Sequence, residues 1–150
     1  MLLKAMFWSR KTTPLVTRLP QVVIKVLSTN ELVFTAPSSS ITAAIINDCE
    51  ERVGRVCYAP SPLADRVYLF EIEISAEHRR RGYATALLWQ LAQTYSQPIT
   101  PIKELFSAHG FWTAARELTD SGIIVTEYLS DGDIAHEADR WAHLRPAEDR

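Results

Sequence analysis

The spacing of apolar and polar side chains changes period along the chain, and each change predicts an element. After Pro20, residues 21–27 are rich in β-branched side chains and predict a strand, and residues 31–35 predict a second, joined to it as a hairpin across Ser28, Thr29 and Asn30. Pro37 and the serines at 38, 39 and 40 mark a loop. Residues 41–47 and 52–58 predict another strand pair, turning through the polar stretch 48–51. Pro60 and Pro62 then open a surface loop, and residues 66–74 predict a strand with Phe70, Ile72 and Ile74 on one face and Leu69, Glu71 and Glu73 on the other.

From Tyr83 the period becomes helical. Ala84, Leu87, Leu88, Leu91 and Tyr95 fall at i, i+3, i+4 spacing and predict an amphipathic helix to about Tyr95. Pro98 and Pro101 bracket a short extended piece, residues 111–118 predict a short helix, and residues 123–129 a further strand. Residues 133–144 predict a closing helix, with a polar start, an apolar stripe at Ile134, Ala138, Trp141 and Ala142, and Pro146 beyond it. At the other end, residues 1–20 mix Lys4, Arg10, Lys11 and Arg18 with apolar side chains, and Pro14 and Pro20 interrupt any regular element, so an N-terminal arm is expected. There is no internal repeat. The predicted organisation is an arm at 1–20, one domain at 21–145 and a tail at 146–150.

Composition narrows the classes. At 150 residues, with 47% hydrophobic and 23% charged side chains, the chain suits one soluble globular domain and argues against a disordered or disulfide-dense class. Lys plus Arg is 16 against 18 Asp plus Glu, a formal net charge of −2, so no global basic field favours nucleic acid or an anionic membrane. Cys49 and Cys57 are expected to be reduced thiols, because a domain of this size builds a core without covalent staples. The N-terminal apolar run is too short and interrupted for a secretory signal, and no stretch approaches the roughly 18 apolar residues that span a bilayer. The expected compartment is the cytoplasm. His78, His136 and His143 lack a ligand set, so no metal is expected, and Trp89, Trp112 and Trp141 are expected to pack rather than to stack on bases.

Chemistry concentrates where the strand at 66–74 hands over to the helix. Residues 75–85 read Ser-Ala-Glu-His-Arg-Arg-Arg-Gly-Tyr-Ala-Thr, so three arginines lead into a small-residue turn at a helix start. Such a start leaves backbone N–H groups without intrahelical partners and adds the positive end of the helix dipole, which suits phosphate oxygens. Gly82 and Ala84 let a ligand approach the backbone, and Arg79, Arg80 and Arg81 supply forked donors. The same residues also fit a solvated basic turn or a local nucleic-acid contact.

The order strand, polar residues, Arg79-x-x-Gly82-x-Ala84, amphipathic helix resembles the pyrophosphate-binding segment of the GNAT superfamily of acetyl-CoA-dependent N-acyltransferases. The resemblance is firm over about residues 66–97, and residues 105–111, ending in Gly110-Phe111, look like a later segment of the family. It implies an α/β (α+β) fold with a mostly antiparallel, twisted sheet, splayed near Glu73 and Ile74, flanked by helices. It also implies acetyl-CoA as co-substrate, held by Ile74, Ser75, Arg79, Arg80, Arg81, Gly82, Tyr83, Ala84 and Thr85, and direct transfer to an amine on a small molecule, peptide or protein.

Direct transfer needs a base, because an ammonium cannot attack a thioester. Glu73 and Glu71 are the candidates, Glu73 first because it lies nearer the turn, and a carboxylate partly buried beside apolar neighbours would have its pKa raised towards the working range. The alternative is that one or both are solvated or paired with arginines. Members of the family often carry a tyrosine acid where this chain has Phe106, which donates no proton, so Tyr128, Tyr95, His109 or water take its place. The family also inserts two helices between its first two strands, and the stretch from 28 to 40 is too short for them, so the acceptor side is reduced. A CoA-binding module with weak chemistry is the second reading, a small nucleic-acid-binding protein the third, and an exposed edge or the Trp141 helix is a candidate surface for a homodimer.

Overall fold

A computed structural model describes residues 17–103 and 108–145; Phe106, most of the predicted arm and the tail lie outside the described residues. β1 (Val22–Asn30), β2 (Ser40–Asn47), β3 (Arg52–Pro60), β4 (Val67–Ile74) and β5 (Ile99–Pro101) form one sheet in that order. The first four strands pair antiparallel with their neighbours, and β5 runs parallel to β4. This is the α+β architecture that the turn motif implies.

The expected hairpin between the first two apolar runs does not form: β1 continues to Asn30 and pairs with Ser40–Asn47, while residues 31–39 make turns. The turns are closed locally. The Leu32 amide donates to Asn30 Oδ1, the Ala36 amide to the Val33 carbonyl and the Ser38 amide to the Thr35 carbonyl, and Thr35 is fully buried. The apolar pair Val33 and Phe34 read as strand because of its residue types, but Phe34 instead meets the rings of Tyr68, Phe70 and Trp141 at centroid distances of 5.2, 5.9 and 6.0 Å. Ring packing across the sheet overrides local β propensity here. As expected, no helix stands between β1 and β2.

On one face lies α1 (Tyr83–Tyr95), where Leu87, Leu88 and Leu91 are buried against Ile45, Val53, Val56, Val67 and Leu69. Each buried leucine contributes about 1.5–3 kcal/mol. Gly82, at φ 85°, starts the helix, and Ser96, at φ 54°, ends it with its amide on the Ala92 carbonyl and Pro98 just beyond. α2 (His109–Arg116) begins and ends two residues earlier than predicted and faces the same core with Trp112 and Ala115. The opposite face carries a smaller core of Tyr68, Ile102 and the fully buried Trp141, with Phe34, Phe70, Ile134 and Ala138 against it.

Two further expectations need correction. The predicted closing helix is α3 (Asp131–Asp139), opened by a Ser130/Asp133 capping box, and the chain then tightens into a 3-10 turn at Ala142–Leu144. Residues 123–129 do not make a continuous strand; they touch the sheet by single parallel bridges, Val125 to Ile99 and Leu129 to Ile102.

β4 itself departs from simple alternation. Glu71 pairs with Cys57 but Leu69 pairs with Tyr58, so Phe70 is an extra residue, a β-bulge. Phe70 stays on the face of Tyr68, and the bulge shifts the alternation after it, so that Ile72 and Ile74 move to the α1 face with Val67 and Leu69. Phe70 therefore does not share a face with Ile72 and Ile74, as strict alternation predicts. Pairing with β5 also stops at Leu69 and Pro101, so the sheet opens there, a few residues earlier than expected.

Candidate functional site

The chain leaves β4 through a turn that its own side chains fix. The Ser75 amide donates to the Val53 carbonyl at 2.8 Å, its hydroxyl donates to the same oxygen at 3.1 Å, and Ser75 Oγ also lies 2.7 Å from His78 Nδ1. Ser75 thus ties the turn to β3, and its hydroxyl is engaged within the protein. A 3-10 turn at Ala76–His78 follows, and Arg79 folds back so that Nε donates to the Ile74 carbonyl at 2.8 Å. Arg79 is therefore a brace of the turn, and Ile74 receives it. Arg80 adopts φ 61°, a left-handed conformation that costs a non-glycine residue about 1–2 kcal/mol. Arg79, Arg80 and Arg81 are all exposed, and none makes an ion pair with a carboxylate among the described residues.

Gly82 is where backbone freedom is required. At φ 85° any side chain is strained, and a Cβ would stand 3.3 Å from Pro20 Cδ. No side chain caps the helix, and the first intrahelical bond runs from the Ala86 amide to the Gly82 carbonyl at 2.9 Å. The amides of Tyr83, Ala84 and Thr85 therefore precede the helical ladder, at the positive end of a 13-residue helix. The Tyr83 side chain points elsewhere, its hydroxyl accepting from Asn47 Nδ2 at 3.4 Å. Beside the turn, a cavity of about 340 Å³ is lined by Arg18, Gly82, Thr85, Phe111, Ala114 and Leu118. The pairing of Gly82 and Thr85 with α2 and with residues 18–20 was not readable from spacing, since those segments are remote in sequence.

The two candidate carboxylates have different surroundings. Glu71 accepts from Arg55 Nη2 at 2.7 Å, with both side chains close to half exposed. Glu73, directly opposite Arg55 across the β3–β4 ladder, is exposed and forms no ion pair among the described residues. Both are exposed, because the smaller core stops at Phe70, and Glu71 is paired with an arginine, the alternative to a catalytic role for it. A concavity of about 380 Å³ gathers Arg52, Gly54, Arg55, Glu73 and Ser75. Arg52 and Arg55 were missed by the sequence reading; their spacing of three spans both faces of a regular strand, and only the register shift between Ile45 and Ile46, which leaves Val53 unpaired, aligns them.

The candidate acids are scattered. Tyr95 sits at the far end of α1, its ring 6.2 Å from that of Tyr58, whose phenol is pushed up by burial and by Tyr95. His109 opens α2, with Nε2 3.5 Å from Thr113 Oγ1. Tyr128, 46% exposed, adjoins the Leu129 bridge to Ile102, whose amide donates to the Leu69 carbonyl at the place where β4 and β5 part.

On the face opposite α1 an ionic cluster joins α3 to β4. The buried Tyr68 hydroxyl donates to Glu137 Oε2, Arg140 binds Glu137 at 3.0 Å and also Asp65, and Arg66 lies 3.3 Å from Glu137. Burial pushes the Tyr68 phenol up, and the bond and charge of Glu137 push the same way. Nothing in the linear pattern pointed to this cluster, whose partners are up to 75 residues apart.

Among the described residues, no group of three or more His, Cys, Asp or Glu side chains is placed to hold a metal ion, and no helix is long and apolar enough to cross a membrane. No curated protein matches the chain. A solved structure, the crystal structure of nourseothricin acetyltransferase, is similar at 20% identity and a TM-score of 0.31 over 52% of this chain and 56% of that one, so this chain spans little more than half of that protein's length. The model of the acetyltransferase (GNAT) family matches residues 4–116, a stretch that takes in the whole sheet, the Gly82 turn and α2 together, and on that match the chain belongs to the family.

Proposed function

We propose that the protein is an N-acetyltransferase that moves the acetyl group of acetyl-CoA directly to an amine. The observation that carries this reading is the uncapped start of α1, where Gly82 at φ 85° leaves the amides of Tyr83, Ala84 and Thr85 to meet an anion. In this reading the pyrophosphate rests on those amides, Arg80 and Arg81 add charge from the exposed side, and Arg79 holds the turn through Ile74. Ser75 shapes the turn rather than touching phosphate. The cavity bounded by Thr85 and Phe111 gives the nucleotide end of the molecule an apolar wall.

The acetyl end reaches the opening between β4 and β5. The acceptor arrives as an ammonium and gives one proton to Glu73, the carboxylate of the pair that no arginine holds. The amine nitrogen then attacks the thioester carbonyl carbon; the C–N bond forms, the C–S bond breaks, and the sulfur leaves with the electron pair. The second nitrogen proton goes to that sulfur, through Tyr128 or water, which yields an amide, CoA thiol and one proton released from Glu73. Acetyl-CoA as donor and Cys49 and Cys57 as free thiols both suit the cytoplasm, where we place the protein.

A CoA-binding module without transfer is the second reading, favoured by the engagement of Glu71 with Arg55. Turnover separates the two. Release of CoA thiol that depends on added amine, with an amine product heavier by one acetyl group, supports the transferase; tight acetyl-CoA binding with no thiol release against a broad amine panel supports the module.

A further inference from the structure

We infer that the concavity on the face of β3 and β4 opposite α1 is the acceptor seat, and that it selects an amine bearing its own carboxylate, an amino-acid-like zwitterion. The inference rests on the transferase reading and names its substrate class. Its basis is an arrangement of charges. Arg52, Arg55 and Glu73 line one space of about 380 Å³, with Ser75 at its rim. Arg55 is held at 2.7 Å by Glu71, which fixes the guanidinium in place and matches its charge. Among the described residues neither Arg52 nor Glu73 forms an ion pair, Glu73 feeling the charge of Arg55 across the ladder without a direct contact, so one positive and one negative group in the same space keep their close contacts open to a ligand.

A ligand that answers both carries an ammonium for Glu73 and a carboxylate for Arg52, with the donors of Arg55 beside it. Beside them the backbones are close: a Cβ on Gly54 would lie 2.2 Å from the Glu73 carbonyl oxygen, so only glycine lets β3 and β4 approach here. The volume lies at the small end of ligand sites, which suits a single amino acid better than a folded protein surface. Glu73 is both wall and base in this arrangement, so the ammonium that it attracts is the group that it deprotonates.

The test compares matched acceptors that differ only in the carboxylate, L-leucine with 3-methylbutylamine and L-alanine with ethylamine, by thiol release from acetyl-CoA. The amino acids should exceed their decarboxylated partners by about tenfold or more in kcat/KM, the scale of one charge-assisted contact. Arg52→Ala should abolish most of that preference by raising the amino-acid KM about tenfold with kcat within about twofold, and Arg52→Lys should restore part of it. Equal kcat/KM within each pair, or a preference that survives Arg52→Ala, would overturn the inference. So would a loss of CoA affinity in Arg52→Ala that is absent with dephospho-CoA, because the arginine would then serve the cofactor phosphate. Ligand-observed NMR of L-leucine with the wild type and with Arg52→Ala reads the seat without turnover: binding weakened by the substitution supports it and no binding to the wild type overturns it, whereas failure of the transferase reading shows separately as absent acetyl-CoA binding or absent thiol release.

Discussion

The two sides of β4 build their chemistry from different materials. On the α1 side the turn offers backbone amides, fixed by Ser75 on Val53, by Arg79 on Ile74 and by the left-handed Gly82. On the other side the groups are exposed side chains, Arg52, Arg55, Glu71 and Glu73, supported by a sheet whose register shifts beside them. Backbone donors locked in a turn recognise a constant feature, which suits the pyrophosphate of the proposed acetyl donor. Exposed side chains on a strand face change without disturbing the fold, so that side is where the proposed transferase would set its specificity.

The difference gives the largest expected effect to a side chain. Glu73→Gln removes a proton acceptor, and kcat should fall by about 10²- to 10⁴-fold, whereas Glu71→Gln should cost about tenfold or less by freeing Arg55; steady-state thiol release measures both. A larger loss at Glu71 would exchange the roles of the two.

On the backbone side, Gly82→Ala tests the turn without changing charge. A Cβ at φ 85° and 3.3 Å from Pro20 should cost about 1–2 kcal/mol of stability in urea unfolding and weaken acetyl-CoA binding about tenfold. Next in size, Arg80→Ala and Arg81→Ala should each weaken binding by less than about fivefold, the effect shrinking further above physiological salt, because both side chains are exposed.

How far these two sides were legible differs for a physical reason. The turn lies in eleven consecutive residues, and every feature that makes it a site, the glycine, the small residue and the amphipathic helix behind it, is local. The opposite face joins Arg52, Arg55 and Glu73 from two strands through register, and the bulge at Phe70 alters which side chains share a face. Phe34 shows the same limit: its neighbours favoured a strand, but its rings of contact, Tyr68, Phe70 and Trp141, lie 34 or more residues away along the chain. That Glu71 pairs with an arginine, by contrast, was foreseen as the alternative to a catalytic role, though not that the arginine is Arg55.

The smallest effect belongs to the ionic cluster that joins α3 to β4. Burial alone would raise the Asp65 carboxyl, but bonds from Ser61 and Arg140 and the charges of Arg140 and Arg66 outweigh it and hold the carboxyl below its usual range. A carboxyl lowered in the folded state contributes stability that is present above its unfolded value of about 3.9 and is lost as pH falls through the lower folded value. Urea midpoints should therefore drop as pH falls below about 4, and less steeply in Asp65→Asn, a modest difference because Asp65 is partly exposed.

The most direct test of the account is calorimetric titration of acetyl-CoA into the wild type and into Gly82→Glu, which sets a side chain and a negative charge against the amides of Tyr83, Ala84 and Thr85. Micromolar binding by the wild type, weakened by about 100-fold or more in a variant that still unfolds cooperatively, is the predicted result. Equal affinity in the two proteins, or no binding by the folded wild type, would contradict it.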